Sequence, residues 1–361
     1  MKILQIITKS ETGGAQTIVR MLASELHSRW HKVAVAAGAE GSWMAFQGMD
    51  SQVERFEIEN LVRNINPLDD FKAMLEIEKV YRYWKPDIVH LHTSKAAALG
   101  RMAAGIDRKR IVYTMHGFDQ IRVSHHRYLA VDKALRSRCG AIVAVSNVDL
   151  EAMRSEGYDP ILIPNGTPDS RLIRVSEPDL ADRLTKIKND GLPLAIMIAR
   201  DAAPKRIDIA REAARQLVGK VNIAWIGGEK KPEDPGNFFA LGQHADAAAY
   251  LRYADLFLLL SDHEGLSLSL LEAFSAGLPC VASAIDGCLE ALDQDGVGEG
   301  KFGIAVSNSI ESVAEALLSL AASNSLKKRM GAAARMHWDG QYSGRAMVDA
   351  YEALYKNLME F

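Results

Sequence analysis

The densest chemistry in this 361-residue chain lies in the stretch Ser261-Asp262-His263-Glu264-Gly265-Leu266-Ser267-Leu268-Ser269-Leu270-Leu271-Glu272-Ala273-Phe274-Ser275-Ala276-Gly277-Leu278-Pro279. It follows an apolar strand and reads as a glycine turn, a helix and a Gly-Leu-Pro break before the next strand. Glu264 falls in the turn and Glu272 lies inside the helix, with seven residues between them. The backbone amides from Gly265 to Leu268 stand at the helix N-terminus without intrahelical partners, and such amides attract an anion. Carboxylates repel phosphate but accept hydrogen bonds from hydroxyls. The combination therefore suits a molecule with hydroxyls on both sides of a phosphate, which is a nucleotide sugar.

Other residues add to this chemistry. Ile198-Ala199-Arg200 closes a strand, and Lys205 follows in a short loop before a helix. Two cations so placed suit a diphosphate, each neutralising part of a leaving group's charge; surface charge flanking a helix start is the plainer alternative. His116-Gly117-Phe118-Asp119 follows another strand. A histidine at that point fits a polar or proton-handling role, against the competing reading of a hydrogen-bonded structural histidine. Gly13-Gly14-Ala15 lies between the first strand and a helix, where glycines let the backbone approach an anion or simply make a tight turn. No G-x-G-x-x-G follows that strand, so the dinucleotide fingerprint is missing. His90 and His92 form an HxH at a strand end, and alternation places both rings on one face, lining a cleft. No carboxylate or cysteine cluster completes a metal site around them, and no metal is expected.

These residues need elements to hold them. Short aliphatic runs at Ile3–Ile7, Val33–Ala37, Val53–Ile58, Ile88–Leu91, Ile111–Met115, Ala141–Val145 and Ile161–Pro164 alternate with helical segments such as Gln16–Ser28, Asp69–Trp84 and Lys95–Ala104. Pro164-Asn165-Gly166-Thr167-Pro168 interrupts the rhythm. It restarts at Leu194–Ala199 and continues through Val221–Ile226, Leu256–Leu260, Cys280–Ala282 and Gly303–Val306. Such alternation predicts α/β architecture: two doubly wound parallel-sheet domains, where ligands bind beyond the carboxyl ends of the strands. The expected boundaries are 1–165, 166–340 and a last helix, 341–361, able to cross back to the first domain.

Composition agrees. Hydrophobic residues make up 48% and charged residues 25%, which fits a globular chain and excludes disorder or a disulfide scaffold. Three cysteines without a CxxC pair point to a reduced, cytoplasmic setting. The formal net charge of -3 gives no reason to expect nucleic acid. The initial apolar run is too short for a signal peptide, and no stretch reaches the roughly 20 apolar residues of a membrane span. Residues 101–138 are nevertheless basic, with Arg101, Arg108, Lys109, Arg110, Arg122, Arg127, Lys133, Arg136 and Arg138 against three aspartates, and with His125 and His126 nearby. That run is either a solvated face or a patch for anionic lipid or an acceptor phosphate.

Taken in order, the motifs resemble those of the retaining glycosyltransferases of GT-B fold, family 4. The resemblance rests on Gly13-Gly14-Ala15, Pro86-Asp87-Ile88-Val89-His90-Leu91-His92, Thr114-Met115-His116-Gly117-Phe118 and Val145-Ser146-Asn147. Further along it rests on Ile163-Pro164-Asn165-Gly166, Arg200 with Pro204-Lys205-Arg206, Tyr253-Ala254-Asp255-Leu256-Phe257 and the two glutamates. The resemblance implies that Glu272 binds the ribose hydroxyls and Glu264 the donor sugar. Arg200 and Lys205 would hold the diphosphate, helped by the amides of Gly265, Leu266, Ser267 and Leu268 and by the Gly13-Gly14 loop. His116 would sit near the anomeric centre, with His92 and Thr93 on the acceptor side. It also implies a metal-independent front-face transfer with retention, from a UDP-linked donor to a glycan or lipid-linked acceptor in cell-surface polysaccharide synthesis, at the inner face of the membrane. The family's usual Glu-Gly-Phe-Gly reads Glu264-Gly265-Leu266-Ser267 here, Ser269 replaces a common proline, and Arg206 stands where glycine commonly follows the lysine. These departures bear on donor identity.

Two other classes compete. A non-hydrolysing epimerase of UDP-N-acetylglucosamine shares the fold but needs no acceptor. A catalytically degenerate binding subunit would not be expected to keep Arg200, Lys205, Glu264, Glu272 and His116 together. A dehydrogenase lacks its glycine fingerprint. Trp43, Met44 and Phe46, with the basic run, are the expected membrane-facing residues.

Overall fold

The computed structural model describes residues 1–118 and 126–360. The chain forms two compact units, Met1–Asn165 with Gly344–Phe361, and Gly166–Ser343.

In the first unit the chain runs β1 (Lys2–Ile7), α1 (Gly14–Ser28), β2 (Lys32–Gly38), β3 (Glu54–Ile58), α2 (Pro67–Trp84), β4 (Ile88–His92), α3 (Ser94–Met102), β5 (Ile111–Met115), α4 (His126–Leu135), β6 (Ala141–Ala144), α5 (Asn147–Ser155) and β7 (Ile161–Leu162). The seven strands pair in parallel in the order β3-β2-β1-β4-β5-β6-β7. Local sequence explains the boundaries. Asn66 caps α2 by accepting from the Leu68 amide (3.1 Å), and Pro67 opens the helix where its missing N–H costs nothing. Ser146 caps α5 through the Asp149 amide at 3.0 Å.

The second unit contains α6 (Pro178–Asn189), β8 (Leu194–Ile198), α7 (Ile207–Gln216), β9 (Asn222–Ile226), β10 (Phe238–Ala240), β11 (Leu256–Leu259), α8 (Leu268–Ala276), β12 (Cys280–Ser283), α9 (Asp286–Leu292), β13 (Gly298–Glu299), β14 (Gly303–Val306), α10 (Ile310–Ala322) and α11 (Asn324–His337). Its strand order is β10-β9-β8-β11-β12-β14-β13, with only the β13–β14 pair antiparallel. Periodicity did not reveal β10 or β13. One follows a Pro/Gly-rich loop, and the other is a two-residue edge strand.

The last helix, α12 (Gly344–Met359), belongs to the first unit, where it packs against α1 and buries Met347, Val348, Tyr351, Leu354 and Tyr355. Each sheet reverses its winding beside its first strand, between β1 and β4 and between β8 and β11. Such switch points leave a crevice beyond the carboxyl ends of the strands. Gly13, Thr93, Arg200 and Glu264 follow those same strands, and His116 follows the neighbouring β5.

Candidate active site

In the second unit, two loops meet beyond the β8–β11 pair. The Arg206 amide donates to the Leu260 carbonyl (3.0 Å) and the Asp262 amide to the Pro204 carbonyl (2.9 Å), stitching the loop after β8 to the loop after β11. The seam brings Lys205 against Glu264, and the Lys205 ammonium forms an ion pair with the Glu264 carboxylate. Both side chains are largely shielded from water, at 16% and 14% exposure. Opposite charges in a shielded site attract more strongly than on an open surface. Cys288 lies close enough to feel both charges, and burial pushes its thiol up to about 12. Arg200 is exposed at the end of β8.

The turn from Glu264 to Ser267 leads into α8, and Ser267 is its N-cap residue. The Ser267 hydroxyl does not cap the helix; it lies 3.3 Å from that of Ser269. The first-turn amides at Leu268 and beyond are thus not taken up by that side chain. Glu272 is half-buried on α8, and its carbonyl accepts from Ser170 Oγ (2.8 Å) and Ser275 Oγ (2.6 Å). Gly277, at φ 76°, ends the helix in the left-handed region. Arg206 is engaged elsewhere, forking onto Asp208 (2.7 Å) and Asp262 (3.1 Å). Asn308 Nδ2, in the loop after β14, donates to the Ser261 carbonyl (2.9 Å) and pins the start of the turn.

In the first unit, Gly13 and Gly14 open α1 after a loop that Ser10 ties down, donating and accepting at Glu40 O and the Trp43 amide. Thr93 has φ 70°, and its hydroxyl lies 2.6 Å from that of Thr8. His116 follows β5. Gly117, at φ 83°, turns the chain, and the Phe118 amide donates to Asp149 Oδ1 at 3.0 Å, so α5 fixes the far end of the turn.

His92 corrects the expectation that it meets an acceptor. It is wholly buried, with Nε2 at 2.6 Å from Gln5 Oε1 and Nδ1 at 3.0 Å from His116 Nε2. His90 is also buried, between Tyr355 (2.6 Å) and Thr114 (2.7 Å), so neither ring lines a cleft. Burial holds both histidines well below the usual range and lowers His116 to about 4, so all three rings are neutral at pH 7. An amide oxygen only accepts, so His92 carries its proton on Nε2 and presents a bare Nδ1. His116 must then donate from Nε2, which leaves its Nδ1 as an acceptor on a partly buried residue. Gln5 escaped sequence reasoning, though a glutamine inside Ile3-Leu4-Gln5-Ile6-Ile7 was the available signal.

The basic run 101–138 is not one patch. Arg101 is buried and ion-paired with Asp132, Lys133 pairs with Glu156, and Arg136 donates to the Gly157 carbonyl. Asp119, Arg122 and His125 lie outside the described residues, as do the side chains of His126 and Arg127. Phe46 is core, and Trp43 is half-buried with its indole N–H on Glu57 (3.2 Å), leaving Met44 exposed. Apolar residues in a short loop could not be sorted by periodicity. Among the described residues no group of three or more His, Cys, Asp or Glu is placed to hold a metal ion.

Residues 12–171 match the model for Glycosyltransferase Family 4, and residues 193–323 match that for Glycosyl transferases group 1. The chain is 29% identical over 276 residues to the UDP-Gal:alpha-D-GlcNAc-diphosphoundecaprenol alpha-1,3-galactosyltransferase of Escherichia coli, covering 69% of this chain and 71% of the relative. It is 22% identical over 302 residues to the O-antigen biosynthesis glycosyltransferase WbnH of Escherichia coli, covering 81% and 84%. Among solved structures, Anabaena Alr3699/HepE in complex with UDP and glucose superposes with a TM-score of 0.82 at 18% identity, covering 99% of this chain and 100% of that one. Both halves match glycosyltransferase models in chain order, and the fold is the one such enzymes use, so the chain belongs to the GT-B glycosyltransferases of family 4, group 1.

Proposed function

We propose that this glycosyltransferase moves a sugar from a UDP-linked donor to a hydroxyl of a lipid-linked glycan, with retention of configuration and without a divalent metal, in cell-surface polysaccharide synthesis. The observation that carries the reading is the Lys205–Glu264 ion pair beside the start of α8. It sets a cation for the diphosphate and a carboxylate for the sugar's hydroxyls side by side, next to helix amides that favour an anion. The Escherichia coli relative named for UDP-galactose and a diphosphoundecaprenol acceptor supports the donor and acceptor classes, and the UDP complex of HepE supports the nucleotide.

On this reading Arg200, Lys205 and the amides of Gly265 to Leu268 stabilise the departing diphosphate, while Glu272 accepts from the ribose and Glu264 from the sugar. The acceptor hydroxyl attacks from the leaving-group side and passes its proton to the departing phosphate oxygen. His116, neutral and with Nδ1 bare, accepts from a donor-sugar hydroxyl and orients the ring. Gly13 and Gly14 let the phosphate come close to the backbone, and Thr93 is assigned to the acceptor side. Most of the rate enhancement would come from leaving-group stabilisation and positioning.

Calorimetric titration with UDP, GDP and ADP, with and without EDTA, tests the donor class on wild type and Glu272→Ala. EDTA-insensitive binding of UDP alone, lost in the variant, is expected; binding of none of the three overturns the reading. Incubation with UDP-sugars then separates the chemistries, because an epimerase would isomerise its donor without acceptor. The anomeric coupling constant of the transferred sugar decides retention.

A further inference from the structure

Helix α2 exposes several large apolar residues on one face. Its inner face buries Ala73, Ile77 and Trp84. Its outer face exposes Leu68 (74%), Phe71 (57%) and Leu75 (46%), preceded by Ile65 (56%) and followed by Tyr83 (75%). Positions 68, 71 and 75 recur at helical spacing, so at about 3.6 residues per turn they form one stripe opposite the buried one. Lys72, Lys79 and Arg82 fall on the same side, interleaved with the apolar residues.

The charges are sorted as well. Between residues 60 and 85 every exposed charged residue is cationic: Arg63, Lys72, Lys79, Arg82 and Lys85. The acidic residues of α2 are only partly exposed, and most are engaged. Asp70 pairs with Lys95, Glu76 accepts from the Asn60 amide (3.1 Å), and Glu78 pairs with Arg82. Protein–protein interface cores are depleted in lysine, whereas a helix lying in a bilayer interface mixes apolar residues with Lys and Arg whose heads reach the lipid phosphates. No helix of the described residues is long and apolar enough to cross a membrane, so any attachment through this helix is to the surface.

We propose that the outer face of α2, with Ile65 and Lys85 at its ends, docks the chain onto an anionic lipid bilayer, with Leu68, Phe71 and Leu75 inserted among the acyl chains and the basic residues on the headgroups. This surface takes the place of the basic run 101–138 and of the loop containing Trp43 and Phe46. The docking stands on the helix surface alone and not on the nature of the donor.

Co-sedimentation of the full chain with phosphatidylcholine vesicles, with and without phosphatidylglycerol, tests it. Binding is expected with phosphatidylglycerol at low salt, weakening as salt rises. The Lys72→Gln/Lys79→Gln/Arg82→Gln variant should bind about a hundredfold more weakly, since each basic residue near an anionic surface contributes roughly a factor of five. Leu68→Ser/Phe71→Ser/Leu75→Ser should lose binding to a similar degree. All six positions are outside the core, and an unchanged thermal melt together with unchanged UDP titration would show each variant intact. Absence of wild-type binding to anionic vesicles, or binding that survives both triple changes, overturns the proposal. So does wild-type self-association that the serine variant abolishes, since the stripe would then serve a second copy. A chain that binds vesicles but not UDP would leave the docking standing and remove the donor reading.

Discussion

Glu264 is the present partner of Lys205, so any diphosphate arriving at Lys205 competes with a carboxylate already there. Charge-assisted hydrogen bonds contribute about 1.5–3 kcal/mol, enough to set the affinity of a bound anion. Glu264→Gln should therefore tighten UDP binding, by about two- to tenfold, while sugar transfer falls. Lys205→Met should weaken UDP by about tenfold or more. Titration calorimetry of the two variants checks the opposite signs, and a loss of UDP affinity in Glu264→Gln would contradict the competition. A second prediction concerns Gln5, a positioning residue that touches no ligand in this reading. Gln5→Leu removes the acceptor that fixes the proton of His92, and with it the tautomer of His116. Transfer should slow on the order of tenfold with KM for the donor held. Nitrogen NMR should show the His116 ring divided between tautomers, a change that mere loosening of the fold would not produce.

Among the elements, α9 decides where the glutamate turn sits. A Cβ on Gly287 would lie 1.9 Å from the Gly265 carbonyl oxygen and 2.5 Å from that of Glu264. Gly287→Ala must push α9 and the turn apart, and overpacking of this kind costs about 1–3 kcal/mol. Denaturant unfolding should show that loss, and UDP affinity should fall with it. Gly236→Ala, where the added atom meets nothing within 4 Å, is the control. The elements themselves were largely legible in advance. Runs such as Leu256–Leu259 sit wholly inside the sheet and read as unbroken apolar segments, because both of its faces are covered. The start of α8 was legible from its glycine turn, and its end from Gly277 and Pro279. Edge strands were not, because β13 has two residues and one paired neighbour, too short to impose a pattern.

At the scale of the whole molecule, the chain closes its first unit with its last helix. Tyr351 lies 2.9 Å from the Thr114 hydroxyl and Tyr355 2.6 Å from His90, so α12 supplies the partners of the buried polar layer behind His116. A chain ending at Ser343 should lose them. Buried donors and acceptors left unpaired cost about 1–3 kcal/mol each, so the first unit should unfold well below its normal temperature while the second keeps its own transition. Calorimetric melting would separate the two transitions; an unchanged first transition would show that α12 is dispensable.

The sequence by itself determined the family, the alternation of strand and helix, and the order of the motifs, because these depend on residue type and local period. It also marked Lys205, Glu264, Glu272 and His116 as the residues to examine, from their positions after strands. Only the tertiary structure decided what each of them faces. His92 is separated from Gln5 by 87 positions and from His116 by 24, yet meets both because β1, β4 and β5 are neighbours in one sheet. Arg101 looked like one more member of a basic run until Asp132, brought beside it by the packing of α3 on α4, took its charge into the interior. Conversely, Leu68, Phe71 and Leu75 read as ordinary apolar positions within a helix. Their exposure follows from which face of α2 the sheet covers, and a one-dimensional pattern carries no record of that choice.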